Sequence, residues 1–190
     1  MKSWVYVLEV GFGCFLFATC LVGQNDIFAP ASDVSFKIFT DQSSYKAGQS
    51  IPLKYRATNI SNAALFVPRE WEATCPAGPH LWAWFEDSSG RHFVPGFGGS
   101  CSPRPQTIQE RMSKEAVLLK PGEHLEGTFI LDTRLFDLKP GHYRAEASLT
   151  GWSEAKFPDA EFSELSRMGH PFMRGEVQDS IRIRLTPSAK

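Results

Sequence analysis

Five histidines, His80, His92, His124, His142 and His170, are the side chains of this chain best suited to move a proton or hold a metal near neutral pH. No two stand close enough to give the ligand spacing of a zinc site, so a metal centre would need distant strands to converge, and no metal or cofactor is expected. There is no Gly-x-Ser-x-Gly nucleophile elbow and no phosphate-binding glycine loop. Gly96-Phe97-Gly98-Gly99 is rich in glycine, but it adjoins Cys101 and opens no helix, so it reads as a loop. Carboxylates are plentiful: Glu70 and Glu72 flank Trp71, and Glu154, Asp159, Glu161 and Glu164 fall in one late segment. Paired acids hydrolyse glycosides when they flank a bond at a set separation. Nothing in the sequence sets that separation, so solvated acidic loops are the plainer reading and no catalytic residue is assigned.

The remaining functional candidates are sulfur and aromatic side chains. Cys14 and Cys20 lie in an apolar N-terminal stretch, which leaves Cys75 and Cys101. In an exported chain these two read as one disulfide closing a loop of about 26 residues, worth on the order of 3.5 kcal/mol in the loop-entropy treatment. Both have turn-rich neighbours, Pro76-Ala77-Gly78 and Gly98-Gly99-Ser100, so the bond is expected to staple loops rather than facing strands. Trp71 sits among charges in Arg69-Glu70-Trp71-Glu72. It either anchors a protein partner or sugar ring from a loop rim, or packs beneath the disulfide loop. Arg91 and Phe97 belong to the span from Arg91 to Pro105, which a disulfide would hold for presentation to a partner. Trp82 and Trp84 are expected to be core or cover residues.

Residues 1–23 carry Lys2, then an apolar stretch from Trp4 to Val22 whose sole charge is Glu9. This reads as a signal peptide cleaved after Gly23 or, less directly, after Ala31, with an uncleaved membrane anchor and a lipid-modified Cys20 as alternatives. The expected organisation is a signal over 1–23, a linker over 24–33 and a single domain over 34–187, exported to the periplasm or the medium. With 20 basic against 21 acidic residues and no run of either sign, nucleic acid is not an expected partner. A membrane would be met only through an uncleaved N-terminal segment. Aromatic residues make up 13% of the chain, which suits strands.

The elements that must position these side chains are written in alternation. Val34 to Phe39, Ile51 to Thr58, His124 to Asp132, Tyr143 to Leu149 and Val177 to Leu185 place apolar and polar residues on opposite faces, as half-buried strands do, while Ala64 to Pro68 reads as a short strand and Ala116 to Leu119 leads into the first Pro-Gly pair. His80 to Phe85 and Arg91 to Pro95 frame Glu86-Asp87-Ser88-Ser89-Gly90 as a hairpin, and Trp82 and Trp84 share one side of its first strand. Lys120-Pro121-Gly122-Glu123 and Lys139-Pro140-Gly141-His142 each predict a type II turn, proline presetting φ and glycine accepting a positive one. Ile108 to Met112 reads as a short strand or turn. Pro158 to Arg167 reads as a helical turn, with Phe162, Leu165 and Met168 at threes. Asn59-Ile60-Ser61 also matches a glycosylation acceptor.

These features predict an all-β antiparallel sandwich of about seven to nine strands with a long insertion before the last. Tyr143, directly after the second Pro-Gly pair and near the start of the penultimate strand, resembles the corner tyrosine of immunoglobulin-like and fibronectin-III-like domains. The series Tyr45-Lys46-Ala47-Gly48-Gln49, Asn59-Ile60-Ser61-Asn62, Leu119-Lys120-Pro121-Gly122-Glu123 and Leu138-Lys139-Pro140-Gly141-His142-Tyr143 resembles the intracellular proteinase inhibitor type of β-sandwich and many secreted bacterial immunoglobulin-like domains. An export segment, the Cys75 and Cys101 loop and the insertion after Gly151 depart from the inhibitor pattern, and no inhibitor residue carries across. The reading is therefore a non-catalytic exported binding or accessory domain with a protein partner. Protease inhibition through a disulfide-held loop is the alternative, and a cell-surface hydrolase comes third.

Overall fold

Along β4 (Ser50–Asn59), Ile51, Leu53, Tyr55 and Ala57 are each at most 2% exposed while Arg56 between them faces solvent, so the period-2 pattern sets which side of the strand meets the core. The computed structural model describes residues 27–69, 80–94, 108–152 and 159–188. Its further strands are β1 (Phe28–Pro30), β2 (Val34–Phe39), β3 (Ser44–Lys46), β5 (Leu65–Pro68), β6 (His80–Asp87), β7 (His92–Phe93), β8 (Ala116–Leu119), β9 (His124–Asp132), β10 (Gly141–Thr150), β11 (Phe172–Arg174) and β12 (Glu176–Thr186). Two helices, α1 (Ile108–Glu115) and α2 (Asp159–Ser166), complete the described elements. The protein is mostly β, as expected, with 12 strands among the described residues against an expected seven to nine, because several are only two to four residues long.

Three sheets divide these strands. One runs β3-β12-β10-β6-β7 and a second runs β2-β4-β9; their inward residues share a single core that includes Ile51, Leu53, Phe85, Ala145, Leu149 and Ile183. Pairing is antiparallel except where β3 joins β12 in parallel through Arg184 and Ser44, Leu185 and Tyr45, and Thr186 and Lys46. The third sheet, β1-β11-β5-β8, gives one face to that core through Leu65, Val67, Leu119 and Met173. Its other face carries Phe172 and Ala116, which pack with Met112 of α1 and Leu165 of α2 and with Trp152 in a second, smaller cluster. Gly151 is the joint between the two regions: a Cβ there would stand 2.2 Å from the Met173 carbonyl oxygen, so only glycine lets the end of β10 approach β11 this closely.

Asn59, fully buried, holds the corner where β4 gives way to β5. Its amide nitrogen donates to the carbonyls of Ala63 at 2.8 Å and Leu119 at 2.9 Å, and its Oδ1 accepts from the Ser61 N–H and hydroxyl. The backbone of Asn59 also exchanges hydrogen bonds with Gly122 and Glu123. Buried and donating two hydrogen bonds, the Asn59 nitrogen is closed to glycosylation once the chain has folded, so the Asn59-Ile60-Ser61 acceptor could be used only before then.

Other expectations change as well. Ile108 to Met112 belongs to a helix, since Gln109, Glu110, Arg111, Met112 and Lys114 are strong helix formers. The first Pro-Gly pair forms the predicted turn, with Gly122 at φ 78° and the Glu123 N–H on the Lys120 carbonyl at 2.9 Å. The second does not: Gly141 keeps a negative φ and opens β10, while the chain reverses at Asp137, a left-handed residue at φ 47°. The Lys139 carbonyl is satisfied instead by the Tyr143 hydroxyl at 2.9 Å, which in turn accepts from the Lys139 N–H at 3.2 Å. Part of the segment read as a linker is structured, since β1 pairs in parallel with β11 and residues Ala31–Asp33 form a 3-10 turn. Among the described residues no helix is long and apolar enough to cross a membrane.

Candidate functional site

The β6–β7 hairpin positions the one described member of the expected binding set, Arg91. Asp87 organises its turn: Oδ1 accepts from the Ser89 N–H at 2.9 Å, the Ser89 hydroxyl at 2.6 Å and the Arg91 N–H at 3.1 Å, and Gly90 supplies a φ of 81°. The hydroxyl of Ser89, followed by the Arg91 backbone, holds the Asp87 carboxyl below the ordinary aspartate range, so the turn stays charged and intact at neutral pH. Arg91 then lays its guanidinium 4.3 Å from the centre of the Phe93 ring. Phe93 meets Tyr143 edge-on at 5.9 Å, Tyr143 meets Phe85 at 6.3 Å, and Phe85 meets Phe136 at 4.8 Å. A column of rings therefore runs from the core outward to the hairpin and ends under a cation. At the same end, Val94 is 63% exposed and Leu135 is 66% exposed.

The outer face of the five-stranded sheet carries a second grouping that sequence reading missed. The register sets Arg144 opposite Glu86 and Glu146 opposite Trp84. Arg144 bridges both acids, donating to Glu86 at 2.6 Å and pairing with Glu146, while His92 Nε2 lies 3.7 Å from Glu86. The hydrogen bond from Arg144 holds the Glu86 carboxyl below the ordinary glutamate range despite partial desolvation. A general acid needs its carboxyl raised toward neutral pH, and Glu86 is moved the other way. The arrangement is that of an ion-pair cluster. Arg144 and Glu146 share a parity in Tyr143 to Leu149, but their meeting with Glu86 depends on a cross-strand register that alternation alone does not give.

Trp82 and Trp84 stand on this outer face, half-buried, opposite Ser148 and Glu146, while Leu81, Ala83 and Phe85 point into the core. Both faces of β6 are apolar, as its sequence indicates. Trp71, Phe97, Cys75 and Cys101, and with them the expected disulfide, lie outside the described residues, as do Glu70, Glu72 and Glu154. Among the described residues no three His, Cys, Asp or Glu side chains converge on a common point that could hold a metal.

No protein-family model matches the chain, and no curated protein matches it. Among solved structures it is similar to a β-glucosidase from Erythrobacter marinus, with 16% identity and a TM-score of 0.39 over 80% of this chain and 16% of that one. A β-glucosidase from Listeria innocua aligns with 12% identity and a TM-score of 0.38, over 80% of this chain and 16% of that one. The sporulation control protein Spo0M from Bacillus subtilis aligns with 9% identity and a TM-score of 0.42, over 82% of this chain and 50% of that one. The chain thus spans 16% of the length of the two glucosidases. Likenesses at these TM-scores carry no argument about what the chain does.

Proposed function

We propose that this chain is an exported immunoglobulin-like domain that works by binding a protein partner rather than by catalysis. The sandwich type is supported by the β2-β4-β9 sheet facing β12-β10-β6-β7, by the parallel union of β3 with β12, and by the Tyr143 hydroxyl bonded back to Lys139 just before its strand. The observation that carries the binding role is the hairpin end: an aromatic column capped by Arg91, with the exposed Val94 and Leu135 at the same end. Arginine over an aromatic ring beside exposed aliphatic groups is the chemistry of a protein-binding hot spot, offering large apolar area with little rotamer freedom left to lose. Trp71 and Phe97, outside the described residues, are proposed as further partner-binding residues in the segments that precede β6 and follow β7 in sequence. Capture of a partner from envelope and culture-medium fractions tests this reading, comparing the native chain with Arg91→Ala and Leu135→Asp. Loss of the partner in both variants, with unchanged melting, is expected; capture unaffected by either variant would remove the site, and no partner in any fraction would remove the role.

Protease inhibition is the second reading, with the loop from Arg91 to Pro105 as the presented segment. Arg91 itself is poorly placed for it, because its N–H and carbonyl are both engaged with Asp87, whereas a segment entering a protease cleft offers free backbone. The reading therefore rests on the residues beyond Val94, and titration against a protease panel decides it.

A further inference from the structure

Of the strands that end a sheet among the described residues, all are short or blunted except one. β1 has three residues and ends in Pro30, β3 has three, β7 has two and β8 has four. β2 has six, but Lys37 stands in the strand and the next N–H, that of Ile38, is taken at 2.9 Å by the Asp179 carboxylate reaching across from β12. These are the means by which β proteins keep edges from pairing with other chains. β9 has nine residues, contains no proline or lysine, and pairs only with β4 among the described residues. Its inward row is also incompletely covered: Leu125, Gly127 and Phe129 are half-buried, whereas the equivalent row of β4 is buried throughout.

We propose that the open edge of β9 pairs with the same edge of a second copy of this chain, antiparallel and centred on Thr128, joining two three-stranded sheets into one. The strand is self-complementary in that register. Thr128 faces Thr128, Leu125 faces Leu131 in the inward row, and His124 faces Asp132 at both outer ends, where Arg134 of the same chain holds the Asp132 carboxylate. Phe129 faces Gly127, over which the chain's own Tyr55 ring lies 2.5 Å from where a Cβ would stand, so the ring of the second copy meets Tyr55 there rather than bare backbone. The remaining pair, Glu126 against Ile130, is neutral because Arg56 holds Glu126 within its own sheet at 2.6 Å. A formal net charge of −1 leaves little long-range repulsion between copies.

Sedimentation of the chain between about 1 and 100 μM is expected to show a reversible monomer–dimer equilibrium. Single cysteines then report the register. Two-fold pairing sets the two residues at 128 about 4.5–5.5 Å apart at Cβ, whereas residues at 124 are separated by about 26 Å. Thr128→Cys should therefore cross-link into a covalent dimer under mild oxidation and His124→Cys should not, with the unsubstituted chain giving the background of the native cysteines. Both positions are exposed, so neither change burdens folding. A monomer throughout the concentration range, or cross-linking no greater at 128 than at 124, overturns the proposal.

Discussion

The core between the two facing sheets and the smaller cluster beneath α1 and α2 are built by different rules. In the first, strands of eight to eleven residues pair along most of their length, so each inward side chain is fixed by a ladder as well as by its neighbours. In the second, strands of three or four residues and two eight-residue helices bring Met112, Trp152, Leu165 and Phe172 together from distant parts of the chain. Helices that short are marginal without tertiary packing, so the second cluster depends on side-chain contact where the first has backbone pairing in reserve. The lesson is that the two regions share one fold but not one source of stability, and the end region should open first.

Large truncations on each side test that difference most strongly. Phe85→Ala removes a fully buried ring from the main core and should cost about 3–5 kcal/mol in urea unfolding. Trp152→Ala should cost less globally, about 1–3 kcal/mol, and show its main effect as faster amide exchange in β11, α1 and α2. Equal loss of protection in β4 and β10 would mean that the clusters form one cooperative unit. Next in size is Asn59→Ala, which strips the donor from the buried hydrogen bond to the Leu119 carbonyl and from the partly buried one to Ala63, and should cost about 1–3 kcal/mol. Because Asn59 joins the regions, its loss should raise exchange in β5 and β8 together. Tyr143→Phe, at the opposite end, should cost about 0.5–1.5 kcal/mol and leave exchange in the smaller cluster unchanged.

The smallest effect is electrostatic. The Glu86 carboxyl is held below the ordinary glutamate value in the folded protein, so the unfolded chain takes up this proton more readily. Its contribution is complete above the ordinary value and is lost as pH falls through the lowered native one. Glu86→Gln should therefore flatten the acid limb of a stability–pH curve slightly, since the pair with Arg144 is partly exposed to solvent. An unchanged limb would show that the cluster contributes nothing measurable.

The main core was legible in the sequence because alternation is local: Val34 to Phe39, Ile51 to Ala57 and Tyr143 to Leu149 each announce their inward face without reference to a partner. The three-residue strands β1 and β11 have too few positions for a period to show. The Phe28–Pro30 segment thus reads as linker in the sequence, although Phe28 lies opposite Phe172 in the fold. Ile108 to Glu115 failed differently. Ile108 and Met112 are its two apolar residues, too few for a helical period to declare itself, and its propensities are what point to helix. The second Pro-Gly pair misled because turn chemistry is a local preference, and the Tyr143 hydroxyl satisfied the Lys139 carbonyl in place of a turn N–H. Of the candidate binding residues, Arg91 was legible as the first residue after a hairpin turn. The ring beneath it was not, because the contact depends on how Phe93 and Tyr143 pack.

The corner at Asn59 also constrains how the protein can be made. An oligosaccharyltransferase acts on Asn-Ile-Ser while the chain is still threading through a translocon, before β4 and β8 have met. A glycan attached at that moment would occupy the nitrogen that must later reach the Ala63 and Leu119 carbonyls, and the corner could not close around it. Production in a glycosylating secretory pathway should therefore yield two populations, an unmodified chain that folds and a modified one retained by quality control.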